Sequence, residues 1–216
     1  MELYRYILFE NFIDIVINEK ITLLSPKLWE DSYEGWFWKA FLDSPKAGKA
    51  ASKMLDTIFA QCWSKNKDSA ALWSIYSYDN KAVMIETTKE KLESIDKIFC
   101  KEIAYTENAE IEIDDIVSMI ANPSPKTLLF PFTKKRSAFL HENEVRVFAL
   151  IKENSKQIKS IDIRIPKVSD FISNVTVHPF APDWYVEIVK TVCEKYSITF
   201  SGKSHLYDLE EDGNEI

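Results

Sequence analysis

Hydrophobic and polar residues alternate in short blocks along this chain, and the blocks read as strands and helices in irregular order. The most informative stretch runs from Ala60 to Glu86, AQCWSKNKDSAALWSIYSYDNKAVMIE. Ile58 to Trp63 is β-branched and aromatic enough for a buried strand, and the polar run Lys65 to Asp68 that follows leaves Ser64 at the strand mouth. Asp68 or Ser69 then caps a short helix in which Leu72, Ile75 and Tyr76 share one face, with Trp73 beside them, until Asp79-Asn80 stops it. Ala82 to Ile85 begins the next strand.

The same reading extends outward. Leu3 to Tyr6 is a short strand with a single charge, Arg5, for which solvent exposure on an edge strand is the ordinary explanation. A helix from about Phe9 to Asn18 and a strand over Ile21 to Leu24 follow, broken at Ser25-Pro26. Acids and rings crowd Trp29 to Trp38 ahead of a helix reaching about Asp56, where Asp31 and Glu34 suit the positive end of the helix dipole. Thr87 and Glu90 have capping-box spacing for a helix to about Ser94. A strand over Lys97 to Tyr105, an amphipathic helix over Ile111 to Ala121 and a helical turn at Leu128 to Phe132 come next. Strands at Ile158 to Ile165 and Asn174 to His178, a helix from Asp183 to Tyr196 and a last strand near Thr199 to Ser201 complete the pattern. Such an order points to an α+β fold: one domain over residues 1–207 with a mixed, mostly antiparallel sheet, flanking helices and an acidic tail over 208–216.

A second informative stretch is SAFLHENEVRVFAL, residues 137–150. From Glu144 the alternation is period two, which puts Glu142, Glu144 and Arg146 on one side of a strand. Two carboxylates and a guanidinium on one face are costly to bury unless paired. The bland outcome is a partly exposed strand with a Glu144 to Arg146 salt bridge; the functional one is a polar cleft.

Composition narrows the chemistry. With 216 residues, 46% of them hydrophobic and 13% aromatic, there is ample material for a core. A net charge of −7 argues against general nucleic-acid binding, since counterion displacement needs a basic surface. Lys134-Lys135-Arg136 is the one basic run, and a solvated turn accounts for it. Four glycines leave no room for a Gly-x-Gly-x-x-Gly turn or a Walker loop. Cys62, Cys100 and Cys193 are widely spaced, and the three histidines lack ligand spacing, so neither disulfides nor a bound metal is expected. Charges in the first residues and the lack of any long apolar run lead to an expectation of a cytoplasmic protein without a membrane partner.

LYRY at the start, WEDSYEG, CWS followed by LWSIYSYDNKAVMIE, and HENEVR together resemble a bacterial uncharacterised family, domain of unknown function two-nine-seven-one, over about Leu3 to Leu150. Lys81-Ala82 stands where that family often has a glycine, which puts the turn before the strand in question. The order of Arg on a first strand, Ser at a middle strand end and Glu-x-Glu on a late strand also looks like the constellation of mono-ADP-ribosyltransferases. That resemblance implies an ADP-ribosyltransferase-like fold, NAD as substrate and an acceptor of unknown kind. By position, Arg5 would hold the NAD phosphate or ribose, Ser64 would support the nicotinamide-side ribose and Tyr76 would stack near the nicotinamide. Glu144 would be the catalytic carboxylate and Glu142 would orient the acceptor. A role in defence is the setting the resemblance suggests.

Two other readings stand beside it. Asp31, Glu34, Glu142 and Glu144 would serve a metal-dependent nuclease or phosphoesterase if they converged on Mg²⁺. Alternatively Trp36, Trp38, Trp63 and Trp73 would line the groove of a non-enzymatic ligand- or partner-binding domain.

Overall fold

Strand β1 (Glu2–Leu8) runs directly into helix α1 (Phe9–Asn18), whose buried stripe is Phe12, Ile15 and Val16. Glu19 turns left-handed at φ 46 and returns the chain as β2 (Lys20–Leu24), antiparallel to β9 (Ser160–Arg164). The computed structural model describes residues 1–29, 52–53, 55–107, 129–151 and 158–208. The remaining elements are β3 (Ile58–Ser64), α2 (Ala70–Tyr76), β4 (Ala82–Thr88), α3 (Lys89–Glu93), β5 (Ile98–Glu102), β6 (Ala104–Thr106), β7 (Lys134–Arg136), β8 (Glu144–Leu150), α4 (Val168–Phe171), β10 (Asn174–Val177), α5 (Asp183–Lys195) and β11 (Phe200–Lys203).

The fold is α+β. Among the described residues nine strands form one sheet along the path β11-β10-β4-β1-β3-β2-β9, with β8 on the other edge of β3 and β5 beyond it. Its pairings are antiparallel except β10 with β11. β6 and β7 form a separate parallel ribbon.

β3 is where the sheet divides. Along one edge it pairs with β8 over its whole length, from Ile58 opposite Leu150 to Ser64 opposite Glu144. Along the other it meets β2 only at Ala60 opposite Leu24, and β1 only at Ser64 opposite Tyr4. Between those contacts the backbones part, and side chains take over hydrogen bonds that a neighbouring strand would otherwise make. Gln61 Nε2 donates to the Thr22 carbonyl at 2.9 Å, and Arg5 Nε donates to the Cys62 carbonyl at 3.2 Å.

The two faces of the sheet differ accordingly. One carries a continuous core that joins Leu3, Ile7, Phe59, Trp63, Ile85 and Val147 to Phe12, Phe171 and Val189 from the helices. The opposite face holds two separate clusters, one of Tyr4, Tyr6, Leu72, Trp73, Ala82 and Met84 and another of Leu55, Ile58, Ala60, Leu129, Phe132 and Phe148. A cleft lies between them.

Several expectations shift. β1 is interior, between β4 and β3, so Arg5 is not an edge-strand charge. In α2 the buried residues are Leu72 and Trp73, while Ile75 and Tyr76 are 48% and 41% exposed. The reason is Trp73, which meets the Tyr6 ring edge-on at 4.8 Å and so decides which side of so short a helix faces the sheet. The stretch from Lys97 to Tyr105 is two strands, broken at Ile103, whose N–H goes to the Glu144 carbonyl. Thr88, not Thr87, caps α3, because Thr87 is fully buried and donates to the Phe171 carbonyl. Pro182, not Asp183, is the N-cap of α5, and Asp183 pairs with Lys203 instead. The basic run is a strand rather than a solvated turn. Before β4, Asn80 takes the left-handed conformation at φ 62, the freedom a glycine there would have supplied. The helix expected over Ile111 to Ala121, the residues from Glu30 to Ala51 and the tail beyond Asp208 lie outside the described residues.

Candidate active site

The cleft has a volume of about 260 Å³ and is built mainly from even-numbered positions of three neighbouring strands: Tyr4 and Tyr6 of β1, Thr22 and Leu24 of β2, and Ala60, Cys62 and Ser64 of β3. That parity follows from the register, which sets Tyr4 beside Ser64 and Leu24 beside Ala60 on one face. Gln61 and Trp63 of β3, Leu72 and Tyr76 of α2, Trp29, Glu142 and Glu144 complete the described lining, together with Arg5. Arg5, Ser64, Tyr76, Glu142 and Glu144, drawn from three separate stretches of the chain, therefore share one cavity.

α2 is fixed over the cleft by Tyr6. Its phenol donates to the Asn66 carbonyl at 3.1 Å and accepts the Ser69 N–H at 2.9 Å, beside the Ser69 hydroxyl that caps the helix. Seven residues later the helix ends on Tyr76 at the cleft. The Tyr76 phenol is pushed up to about 12, first by burial and then by the Cys62 thiol and the Glu142 carboxylate, and so stays protonated at neutral pH even though much of the residue meets solvent.

Arg5 contributes a cation with no carboxylate partner among the described residues. Among the described residues its side chain makes one hydrogen bond, from Nε to the Cys62 carbonyl, and its terminal nitrogens meet no acceptor. Burial pulls its pKa down, but an arginine remains charged at any physiological pH. A partly shielded guanidinium with its terminal nitrogens towards the cleft is suited to a phosphate or a carboxylate.

Across the cleft the charges are paired. Arg146, 1% exposed, grips Glu144, 2% exposed, through Nε to Oε1 at 2.7 Å and Nη2 to Oε2 at 2.9 Å. Its Nη1 donates to the Phe132 carbonyl at 2.8 Å, and its guanidinium lies 4.1 Å from the centre of the Trp29 ring. Lys135 Nζ bridges the two acids, at 2.6 Å from Glu142 Oε2 and 3.4 Å from Glu144 Oε2. Burial alone would raise the Glu144 pKa, but Arg146, Lys135 and the Cys62 thiol outweigh it and hold the carboxyl below its ordinary value. The salt bridge expected on β8 is thus present, and the expected partial exposure is not, because β8 lies between β3 and β5. Nor is Glu142 part of that strand. It ends a 3-10 turn over Ser137–Glu142, and Asn143, left-handed at φ 42, separates it from Glu144.

Ser64 is held by its own surroundings. Its hydroxyl donates to the Glu142 carbonyl at 2.7 Å and accepts the Asn66 N–H at 2.9 Å, tying the end of β3 to the turn before β8. Asn66 and Asn143 extend that seam, Asn66 Nδ2 donating to the His141 carbonyl and Asn143 Nδ2 to Asn66 Oδ1. Cys62 opens into the cleft, yet the protein around it and the Glu144 carboxylate push its thiol up to about 12.

No protein-family model matches the chain, and no curated protein does. Among solved structures, the search returns DarT of Thermus sp. 2.9 in three complexes. With carba-NAD⁺ the TM-score is 0.42 at 13% identity, covering 94% of this chain and 95% of that one. With NAD⁺ it is 0.40 at 12%, over 95% and 96%; with ADP-ribosylated ssDNA it is 0.44 at 10%, over 95% of each. At such scores the likeness carries no inference about this chain's chemistry, which rests on its own residues.

Those residues also weigh on the other two readings. Asp31 and Glu34 lie outside the described residues, and Glu142 and Glu144 are already bridged by Lys135, whose ammonium would repel a divalent cation placed between them. Trp36 and Trp38 also lie outside; Trp63 touches the cleft but is 2% exposed and packs in the main core, while Trp73, 1% exposed in a different cluster, is not among the cleft's lining residues, so the two do not line a common groove. Sequence reasoning missed Cys62, Lys135, Tyr105 and Trp29. Cys62 was within reach, since it shares strand parity with Ser64. Tyr105, whose hydroxyl accepts the Glu144 N–H at 2.8 Å, carried no local signal.

Proposed function

We propose that this protein binds NAD in the cleft at the division of the sheet and cleaves its nicotinamide glycosidic bond, transferring ADP-ribose to an acceptor or to water. The observation that carries the reading is one cavity lined both by Arg5, whose guanidinium has no carboxylate partner among the described residues, and by the carboxylates Glu142 and Glu144. Arg5 offers a bidentate grip on a phosphate. The Tyr76 ring offers a face for nicotinamide. Cleavage builds positive charge on the ribose, and a carboxylate held nearby lowers the energy of that state, as in glycosidases. At about 260 Å³ the cavity suits the nicotinamide-ribose half better than the whole dinucleotide, since pockets for drug-sized ligands start at about 300 Å³. Ser64 supports this arrangement by fixing the turn that carries Glu142.

Calorimetry with NAD, followed by an assay of nicotinamide release, tests the reading. Wild type should bind, and Arg5→Ala should bind at least tenfold more weakly, about the 1.4 kcal/mol expected on losing a charge-assisted contact. Wild type that neither binds NAD nor releases nicotinamide would end the proposal.

A further inference from the structure

Among the described residues two carboxylates line the cleft, and of these Glu142 alone has an oxygen without a partner. Glu144 spends both on cations: Oε1 on Arg146 Nε at 2.7 Å, and Oε2 on Arg146 Nη2 at 2.9 Å and Lys135 Nζ at 3.4 Å. The Cys62 thiol also helps hold the pKa of the same carboxylate down. Glu142 is joined to this array only through Lys135, at Oε2, and its Oε1 has no partner among the described residues. Its side chain is 18% exposed against 2% for Glu144. The backbone of Glu142 is meanwhile fixed, because its carbonyl accepts from Ser64 and the flanking His141 and Asn143 are tied to Asn66. Glu142 thus combines a rigid mount with a free carboxylate oxygen at the cavity wall.

We propose that Glu142, and not Glu144, is the carboxylate that meets the ligand in this cleft, and that Glu144 is a positioning residue acting through Lys135. For the identity of the ligand this rests on the NAD reading above. As the bond between the ribose carbon and nicotinamide breaks, nicotinamide leaves as a neutral base with the electron pair. Water or an acceptor hydroxyl forms the new bond to that carbon, and its proton is released. Glu142 Oε1 faces the positive charge that develops between the two events. Glu144 is neutralised by two cations and buried behind them, and so has little field left to give. It keeps Lys135 in place, and Lys135 aims Glu142.

The two carboxylates are distinguishable without any turnover. Carbodiimide coupling of glycine ethyl ester to the folded protein, mapped by mass spectrometry, should modify Glu142 well before Glu144, and NAD should slow the reaction at Glu142. E142Q should lower kcat for nicotinamide release by roughly 100-fold with KM and melting temperature nearly unchanged. E144Q should lower the melting temperature by several degrees. Coupling at Glu144 as fast as at Glu142, or full turnover in E142Q beside a dead but equally stable E144Q, would overturn the assignment. Selective coupling at Glu142 that NAD does not slow, in a wild type that releases no nicotinamide, would support Glu142 as the open carboxylate and refute NAD as its ligand.

Discussion

Replacing Arg146 by methionine tests the charge array that underlies the cleft. Arg146 and Glu144 are 1% and 2% exposed and share two hydrogen bonds of 2.7 and 2.9 Å, so the substitution strands a buried carboxylate whose remaining cation, Lys135, lies 3.4 Å away. Breaking a buried pair from one side costs about 3–5 kcal/mol. Loss of the donor to the Phe132 carbonyl adds about 1 kcal/mol, which the apolar packing of methionine offsets. At about 2–4 °C per kcal/mol for a chain of this size, the melting temperature should fall by roughly 6–20 °C near pH 7. The pH dependence follows from Glu144. In wild type its pKa is held below the ordinary carboxylate value, so the pair stabilises the fold above that value and the contribution is lost as pH falls through the folded pKa. In R146M burial prevails, the folded pKa rises, and the deficit fades as the carboxyl protonates. Thermal melts should therefore converge as pH is lowered from 7 towards 4. The double variant E144Q/R146M should recover much of the loss, since no stranded charge remains. A single variant that loses less than about 1 kcal/mol, or a double variant no better than the single, would refute this account of the array.

Tyr105→Phe should cost about 1–3 kcal/mol in chemical denaturation, because it leaves the Glu144 N–H without its acceptor; an unchanged midpoint would mean that water replaces the phenol. Cys62 is the open thiol while Cys100 and Cys193 are buried, so one thiol should react with an alkylating reagent in the folded protein, slowly at pH 7 and faster as pH rises towards 12, and NAD should protect it. Rapid labelling at neutral pH would show that the thiol lacks the pressure from Glu144. Ser64→Ala should lower the melting temperature by a few degrees through the lost tie to the Glu142 carbonyl; a complete loss of NAD binding at unchanged stability would instead give the hydroxyl a direct contact with ligand.

Much of the framework was legible because it is local. The β-branched and aromatic run at Ile58 to Trp63, the period-two run from Glu144 to Leu150, the stretch that became α1 and the cap of α2 at Ser69 are set by spacing and side-chain chemistry within a few residues. The grouping of Arg5, Ser64, Tyr76, Glu142 and Glu144 came from resemblance, and the cavity they share came from the register of β1 on β3 and β3 on β8. What the chain alone could not reveal depends on partners distant in sequence. Whether β1 lies at an edge, and so whether Arg5 meets solvent or a cleft, is decided by β4, whose pairing begins nearly eighty residues on. Lys135 reads as part of a solvated basic run until β6 pairs with β7 and sets its ammonium between two acids. The pattern at Glu142, Glu144 and Arg146 announced paired charges, but the left-handed turn at Asn143 and the two strands enclosing β8 decided which carboxylate would be clamped and which left open. Periodicity specifies which residues can share a face; only the closing of the sheet specifies which of them are left without a partner.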